Sequence, residues 1–155
     1  MMLTTKGRYA VMAILDMASR LTDKPITLAE ISLKQNIPVS YLEQIFAKLK
    51  KANLVKSIKG PKGGYILAGN LHEIKIFDIM DAVNENIIMT TCYKKSVKSC
   101  VPNTIKCNSH KLWKGLTNHI RDYLENISIK DVQLNLESFR QDEFKGESAQ
   151  RTSCT

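Results

Sequence analysis

Ser40-Tyr41-Leu42-Glu43-Gln44-Ile45-Phe46-Ala47-Lys48-Leu49-Lys50-Lys51 is the stretch that decides the fold of this chain. Leu42, Ile45, Phe46 and Leu49 recur at three- and four-residue steps, which puts them on one face of a helix. Lys48, Lys50 and Lys51 load its end, where cations suit the helix dipole. Ser40 and Glu43 stand in the order of a Ser-x-x-Glu capping box and predict that the helix starts at Ser40. Upstream, Thr27 and Glu30 repeat that order, with Ile26 and Ile31 at the positions of a hydrophobic staple. A short helix is therefore expected from Thr27 to near Asn36, and two capped helices joined around Ile37-Pro38 read as a helix-turn-helix.

Beyond Lys51 the period changes. Leu54 to Ile58 reads as a strand, Gly60-Pro61-Lys62-Gly63-Gly64 as a turn and Tyr65-Ile66-Leu67 as the returning strand. A hairpin directly after a helix-turn-helix is a wing. Before it, Tyr9, Ala10, Met12, Ala13, Ile14, Met17 and Ala18 predict a helix over 5–20, capped by Thr4 or Thr5. After it, Ile74 to Val83 reads as another short helix. Residues 86–109 have no stable period. From His110 onward Leu112, Leu116, Ile120, Tyr123 or Leu124, and Ile127 mark a long amphipathic helix whose stripe calls for a partner helix. Residues 137–155 are polar and expected to be disordered. The fold class is mainly α with a small β-hairpin.

The 155 residues suit one modest domain with an extension, and 43% hydrophobic content suffices for a core. A formal charge of +8 favours a polyanionic partner, nucleic acid before a membrane surface. With no spanning run and no secretion signal, a cytoplasmic location and no membrane partner are expected. No nucleophile–base pair, Walker loop or paired carboxylates stand out, so the chain does not read as an enzyme.

The N-terminal end of a recognition helix meets base edges, which assigns Ser40, Tyr41, Glu43 and Gln44 to double-stranded DNA. Gln44 suits adenine; Glu43 accepts only from a base donor such as cytosine N4, and otherwise just completes the capping box. Lys48, Lys51, Lys56, Lys59 and Lys62 would neutralise phosphates. Gly63 and Gly64 would let the wing approach a minor groove. The bland alternative is a protein-binding winged helix with a solvated lysine face.

Cys92, Cys100, Cys107 and His110 form a soft metal-ligand set in a window rich in lysine and free of acid from Cys92 to Lys114. In a reducing compartment such thiols are ligands before they are disulfides. An iron–sulfur centre, structural zinc and unligated redox thiols all remain open, although the Cys-x7-Cys-x6-Cys-x2-His spacing lacks the tight cysteine pairs usual for zinc. His72 and His119 read as surface residues, Trp113 as a packing anchor, and Cys154 as a tail residue outside the ligand set.

Leu3-Thr4-Thr5-Lys6-Gly7-Arg8-Tyr9-Ala10-Val11, Ser40-Tyr41-Leu42-Glu43-Gln44, Gly60-Pro61-Lys62-Gly63-Gly64-Tyr65 and Cys107-Asn108-Ser109-His110-Lys111-Leu112-Trp113 together resemble the IscR family of bacterial iron–sulfur cluster regulators, from Met1 to about Leu136. The resemblance implies a homodimeric winged-helix transcription factor that binds a [2Fe–2S] cluster and acts on cluster-assembly genes. By position Cys92, Cys100, Cys107 and His110 would be the ligands, and the helix from His110 would pair with its twofold mate. Nitric-oxide or iron sensing remains an alternative within the same family, and a zinc-stabilised interaction module one outside it. Cluster-assembly scaffold proteins are a further expected partner. The implied organisation is a DNA-binding domain at 1–85, a cluster loop at 86–109, and a dimerisation helix with return segment at 110–136. Two departures stand out. Both intervals between cysteines are longer than in that family, and Lys59 stands where arginine is frequent, which removes a planar fork suited to guanine.

Overall fold

The computed structural model describes residues 4–20, 24–85 and 108–135. Its elements run α1 (Thr5–Ser19), α2 (Leu28–Gln35), α3 (Val39–Lys51), β1 (Val55–Ile58), β2 (Gly64–Leu67), α4 (Ile76–Ala82) and α5 (His110–Asn126). This is a winged helix-turn-helix followed by a long helix, as the periodicities predict. The expected cysteine loop and polar tail lie outside the described residues.

Local chemistry sets the helix ends. Thr4 caps α1, its side chain accepting from the Gly7 amide. Thr27 caps α2 in a complete capping box: its hydroxyl accepts from Glu30 N–H, and the Glu30 carboxylate accepts from Thr27 N–H at 2.8 Å. Those bonds, the backbone one first, hold the Glu30 carboxyl below the usual range. Three asparagines close the next ends. Asn36, Asn53 and Asn84 take φ of 52°, 57° and 59°, the left-handed conformation asparagine tolerates at a helix C-terminus. After α4, Glu85 N–H returns to the Met80 carbonyl and Asn84 N–H to that of Asp81, a Schellman arrangement.

The start of α3 differs from expectation. Pro38 is its N-cap and no side chain caps it. The Pro38 carbonyl accepts from both Tyr41 and Leu42 N–H, at 3.0 and 3.1 Å. The pyrrolidine ring pre-sets the backbone before Val39, so the helix begins ahead of Ser40. Ser40 and Glu43 form no capping box; both are exposed positions on the helix.

One core holds the described residues together. Ile14, Ile31, Ile37, Leu42, Ile45, Phe46, Leu49, Val55, Ile79 and Val83 are each at most 1% exposed. The antiparallel hairpin pairs Val55 with Leu67 and Ile58 with Gly64. It is tied to the helices twice: Phe46 meets Tyr65 edge-on at 4.8 Å, and Tyr65 exchanges two backbone hydrogen bonds with Ile26. At the far end of the chain, Ile76 N–H bonds the Ile127 carbonyl and Ile129 N–H bonds that of Ile74, so the segment after α5 returns to the start of α4. There Ile129 is fully buried in the same core. Ser128 and Asp131 close a small box that starts the following helical turn.

A buried carboxylate ties α1 to α2. Asp16 is 3% exposed and accepts from Arg20 at 2.7 Å, Lys34 at 2.5 Å and Gln35 at 3.2 Å. Burial pushes its pKa upward, but the bonds from Lys34, Arg20 and Gln35 together outweigh it and the net direction is down.

Candidate nucleic-acid interface

The apolar face of α3 is sealed into the core, which turns Ser40, Glu43, Gln44 and Ala47 to solvent along one stripe. Ser40, no longer occupied as a cap, has its hydroxyl available for a base or a phosphate. Glu43, without a capping role, remains an exposed acid on that stripe. Tyr41 is half-buried, its ring edge-on to Tyr9 of α1 at 5.7 Å and 87°. The Arg8 guanidinium lies over the Tyr9 ring, 5.7 Å from its centre.

Lysines follow on α3 and along the wing. Lys51, Lys56, Lys59 and Lys62 are exposed, and Lys48 is half-buried. Partial desolvation and then the adjacent Lys6 ammonium lower the pKa of Lys48. Lys50 reaches across to β1 and donates to Ser57 Oγ at 2.7 Å, bracing the recognition helix against the wing.

In the wing, Gly63 N–H closes the turn onto the Gly60 carbonyl at 2.9 Å, with Pro61 at the second turn position. A Cβ at Gly63 would stand 2.4 Å from the Ile58 carbonyl oxygen, and one at Gly64 2.5 Å from that of Ile26. Gly63 is thus required by the hairpin's own closure, and Gly64 by the close approach of β2 to Ile26. Lys59, Pro61 and Lys62 form the exposed rim that faces outward.

Of the four candidate metal ligands, Cys92, Cys100 and Cys107 lie outside the described residues. His110 is the first residue of α5 and is half-buried. His72 and His119 are exposed surface residues, as expected.

Two residues at this face escaped sequence reasoning. Lys6 of α1 contributes to lowering the pKa of Lys48 on α3. Glu85, the last described residue before the cysteine segment, accepts from Thr4 N–H at 3.0 Å and from the Thr4 hydroxyl. Thr4 and Glu85 are 81 positions apart, and no local pattern joins them. The one available signal was Gly7, where a Cβ would stand 2.8 Å from Glu85 Oε2.

A helix with a sealed apolar face, an exposed polar stripe, further lysines and a braced wing define a winged-helix DNA-binding transcription regulator. The model for the Rrf2 family, described as an iron-dependent transcriptional regulator, matches residues 3–135. This chain belongs to that family. It is 44% identical over 137 residues to the HTH-type transcriptional regulator IscR of Vibrio parahaemolyticus, covering 88% of this chain and 80% of that one. Against the Vibrio campbellii regulator of the same name it is 46% identical over 132 residues, 85% of this chain and 77% of the other. Among solved structures, T. potens IscR superposes with a TM-score of 0.69 at 30% identity, covering 89% and 90% of the two chains. CymR, the global cysteine regulator of B. subtilis, does so at 0.70 and 26% identity, covering 85% and 95%. The resemblance to IscR regulators therefore holds over most of the chain. Its relatives are named as transcriptional regulators, a non-enzymatic role. Among the described residues no helix is long and apolar enough to cross a membrane.

Proposed function

We propose that this protein is a cytoplasmic homodimeric transcription regulator that holds a [2Fe–2S] cluster on Cys92, Cys100, Cys107 and His110 and controls promoters of iron–sulfur cluster assembly genes. The donor set carries the proposal. Three thiolates and one imidazole suit such a cluster chemically, and the imidazole replaces one negative thiolate, which raises the potential. When bound, the cluster supplies a labile one-electron centre. His110 would ligate from the first turn of α5, and the lysines of the same window would offset the remaining negative charge. Cluster-assembly scaffold proteins are the natural donors.

Homodimerisation rests on α5. Leu112, Leu116 and Tyr123 are 63%, 38% and 66% exposed, although the helix is amphipathic. A second copy of the same stripe would cover them and set two recognition helices about a twofold axis, as a palindromic operator requires. On each half-site Gln44 would pair with adenine, Glu43 would accept from cytosine N4 while disfavouring other bases, and Lys59 and Lys62 would hold phosphates. The two regions would be coupled through the population of DNA-competent dimers.

The test is anaerobic purification with a visible absorption spectrum and iron, sulfide and zinc analysis. About two irons and two sulfides per chain, lost in Cys100→Ala, are expected. A colourless zinc-loaded protein would replace the cluster with a structural zinc site. A colourless metal-free protein goes to anaerobic reconstitution, and failure to form a coloured species there would end the cluster proposal. Equal DNA affinity of loaded and cluster-free protein on every promoter would end the coupling.

A further inference from the structure

Helix α3 starts one residue earlier than its Ser-x-x-Glu pattern predicts, which places Val39 in its first turn. Val39 stands four residues before Glu43, and Ala47 four residues after it, so the three share one row of the helix. All three are exposed. The row runs beside Ser40 and Gln44 on the solvent face. It holds one carboxylate between two apolar side chains, and no side chain in it can donate a hydrogen bond when Glu43 is ionised.

Val39 breaks the rules that the rest of the helix obeys. Ile37 and Leu42, on either side of it in sequence, are 1% and 0% exposed, whereas Val39 is 40% exposed. A β-branched side chain is a modest helix former, and the helix dipole favours an acid in the first turn, yet the first turn of α3 has none. Such local conflicts are expected where a residue serves a function. Exposure alone does not single Val39 out, since Leu33 of α2 is 89% exposed and isolated apolar residues at a surface are ordinary. Position does: Val39 lies at the N-terminal end of the recognition helix, the part that meets base edges. Among the groups by which a major groove tells base pairs apart, one is apolar, the C5-methyl of thymine.

We propose that Val39 packs against the C5-methyl group of a thymine and so sets sequence preference beside the base read by Glu43. The proposal rests on the DNA-binding reading and adds to it a specificity-determining residue. The row then separates the two pyrimidines twice over. Glu43 accepts from cytosine N4, a donor that thymine lacks, and Val39 touches a methyl group that cytosine lacks. Little ordering is needed for the contact. Pro38 fixes the backbone ahead of Val39, Ile37 and Leu42 anchor both flanks in the core, and valine is stiff at χ1 in a helix.

The experiment uses the full chain and a duplex recovered by the wild-type protein from a random pool. Each thymine is replaced in turn by deoxyuridine, which removes the methyl group and keeps every hydrogen-bonding edge. At one thymine per half-site, wild-type affinity should fall about fourfold, the worth of one buried methyl group. Val39→Ala, verified as folded by circular dichroism, should bind thymine and deoxyuridine alike at that position. Val39→Ile and Leu33→Ala should keep the wild-type response. If no thymine responds, or if every responsive thymine still does so in Val39→Ala, the proposal is overturned. Loss of the response in Leu33→Ala would move the contact to α2 and overturn it too. If the wild-type protein recovers no duplex from the pool, the DNA-binding reading itself fails, and the thymine contact falls with it.

Discussion

Helices α3 and α5 are both amphipathic and both carry lysines, yet they treat their apolar faces in opposite ways. On α3, Leu42, Ile45, Phe46 and Leu49 are all buried by the rest of the chain, and the polar stripe is what remains outside. On α5 the one fully buried side chain is Thr117, while Leu112, Leu116 and Tyr123 stand open. Its far end is docked: Arg121 lies over the Phe77 ring at 4.6 Å, and Ile127 to Ile129 bind the start of α4. The first helix is completed within its own chain and can be a rigid reading head. The second is left with an apolar stripe of the kind that marks an association surface.

The contrast can be broken most forcefully at Phe46. Phe46→Ala should cost about 3–5 kcal/mol of folding stability, measured by urea unfolding, because it empties a fully buried site that also anchors Tyr65 of the wing. A loss below about 1 kcal/mol would mean that α3 is not sealed into the core as described. The matching change on α5, Leu112→Glu with Leu116→Glu, should leave the unfolding of the separate chains nearly unaltered and weaken self-association by about 2–3 kcal/mol, roughly 100-fold. Light scattering over a concentration series reads this directly. An unchanged dimer would move the interface elsewhere.

A smaller effect is expected where α1 is tied to α2. Asp16→Asn should cost about 1–3 kcal/mol, because a neutral amide replaces the carboxylate that Arg20 and Lys34 share and turns one of its two acceptor oxygens into a donor. The Asp16 pKa is lowered in the folded chain, so its stabilisation is fully present above the unfolded value of about 3.9. It is lost as the pH falls through the still lower folded value. Wild type and Asp16→Asn should therefore converge in stability at strongly acid pH, and a constant gap down the acid limb would contradict the assignment. Smallest of all is Ser40→Ala. Since Pro38 begins α3, this substitution should change stability by less than about 0.5 kcal/mol, whereas Thr27→Ala, which removes a working cap, should cost about 1 kcal/mol. Equal losses would reinstate Ser40 as a cap.

Much of this was legible locally. The α2 capping box, the α3 periodicity and the glycine turn each involve residues within a few positions of one another, and the chain folds there as those residues require. The start of α3 was misjudged for the same reason: a Ser-x-x-Glu pattern and a proline two residues before it compete locally, and the proline prevails through its fixed φ. Among the candidate DNA contacts, the exposed stripe of Ser40, Glu43 and Gln44 follows from the helix period. The roles of Gly63 and Gly64 do not, because only the hairpin's approach to Ile26 and Ile58 reveals what their missing Cβ atoms make room for.

By itself the sequence determined the helix-turn-helix and the wing, and made Cys92, Cys100, Cys107 and His110 a candidate donor set, since these depend on residue type and short spacing. Tertiary structure alone decided that Glu85 closes onto Thr4, and that Ile129 is buried in the same core as α1, α3 and α4. Those contacts join residues tens of positions apart, and no periodicity links them. They arise because burying one continuous apolar core leaves a single way to bring α1, α3, α4 and the return after α5 together.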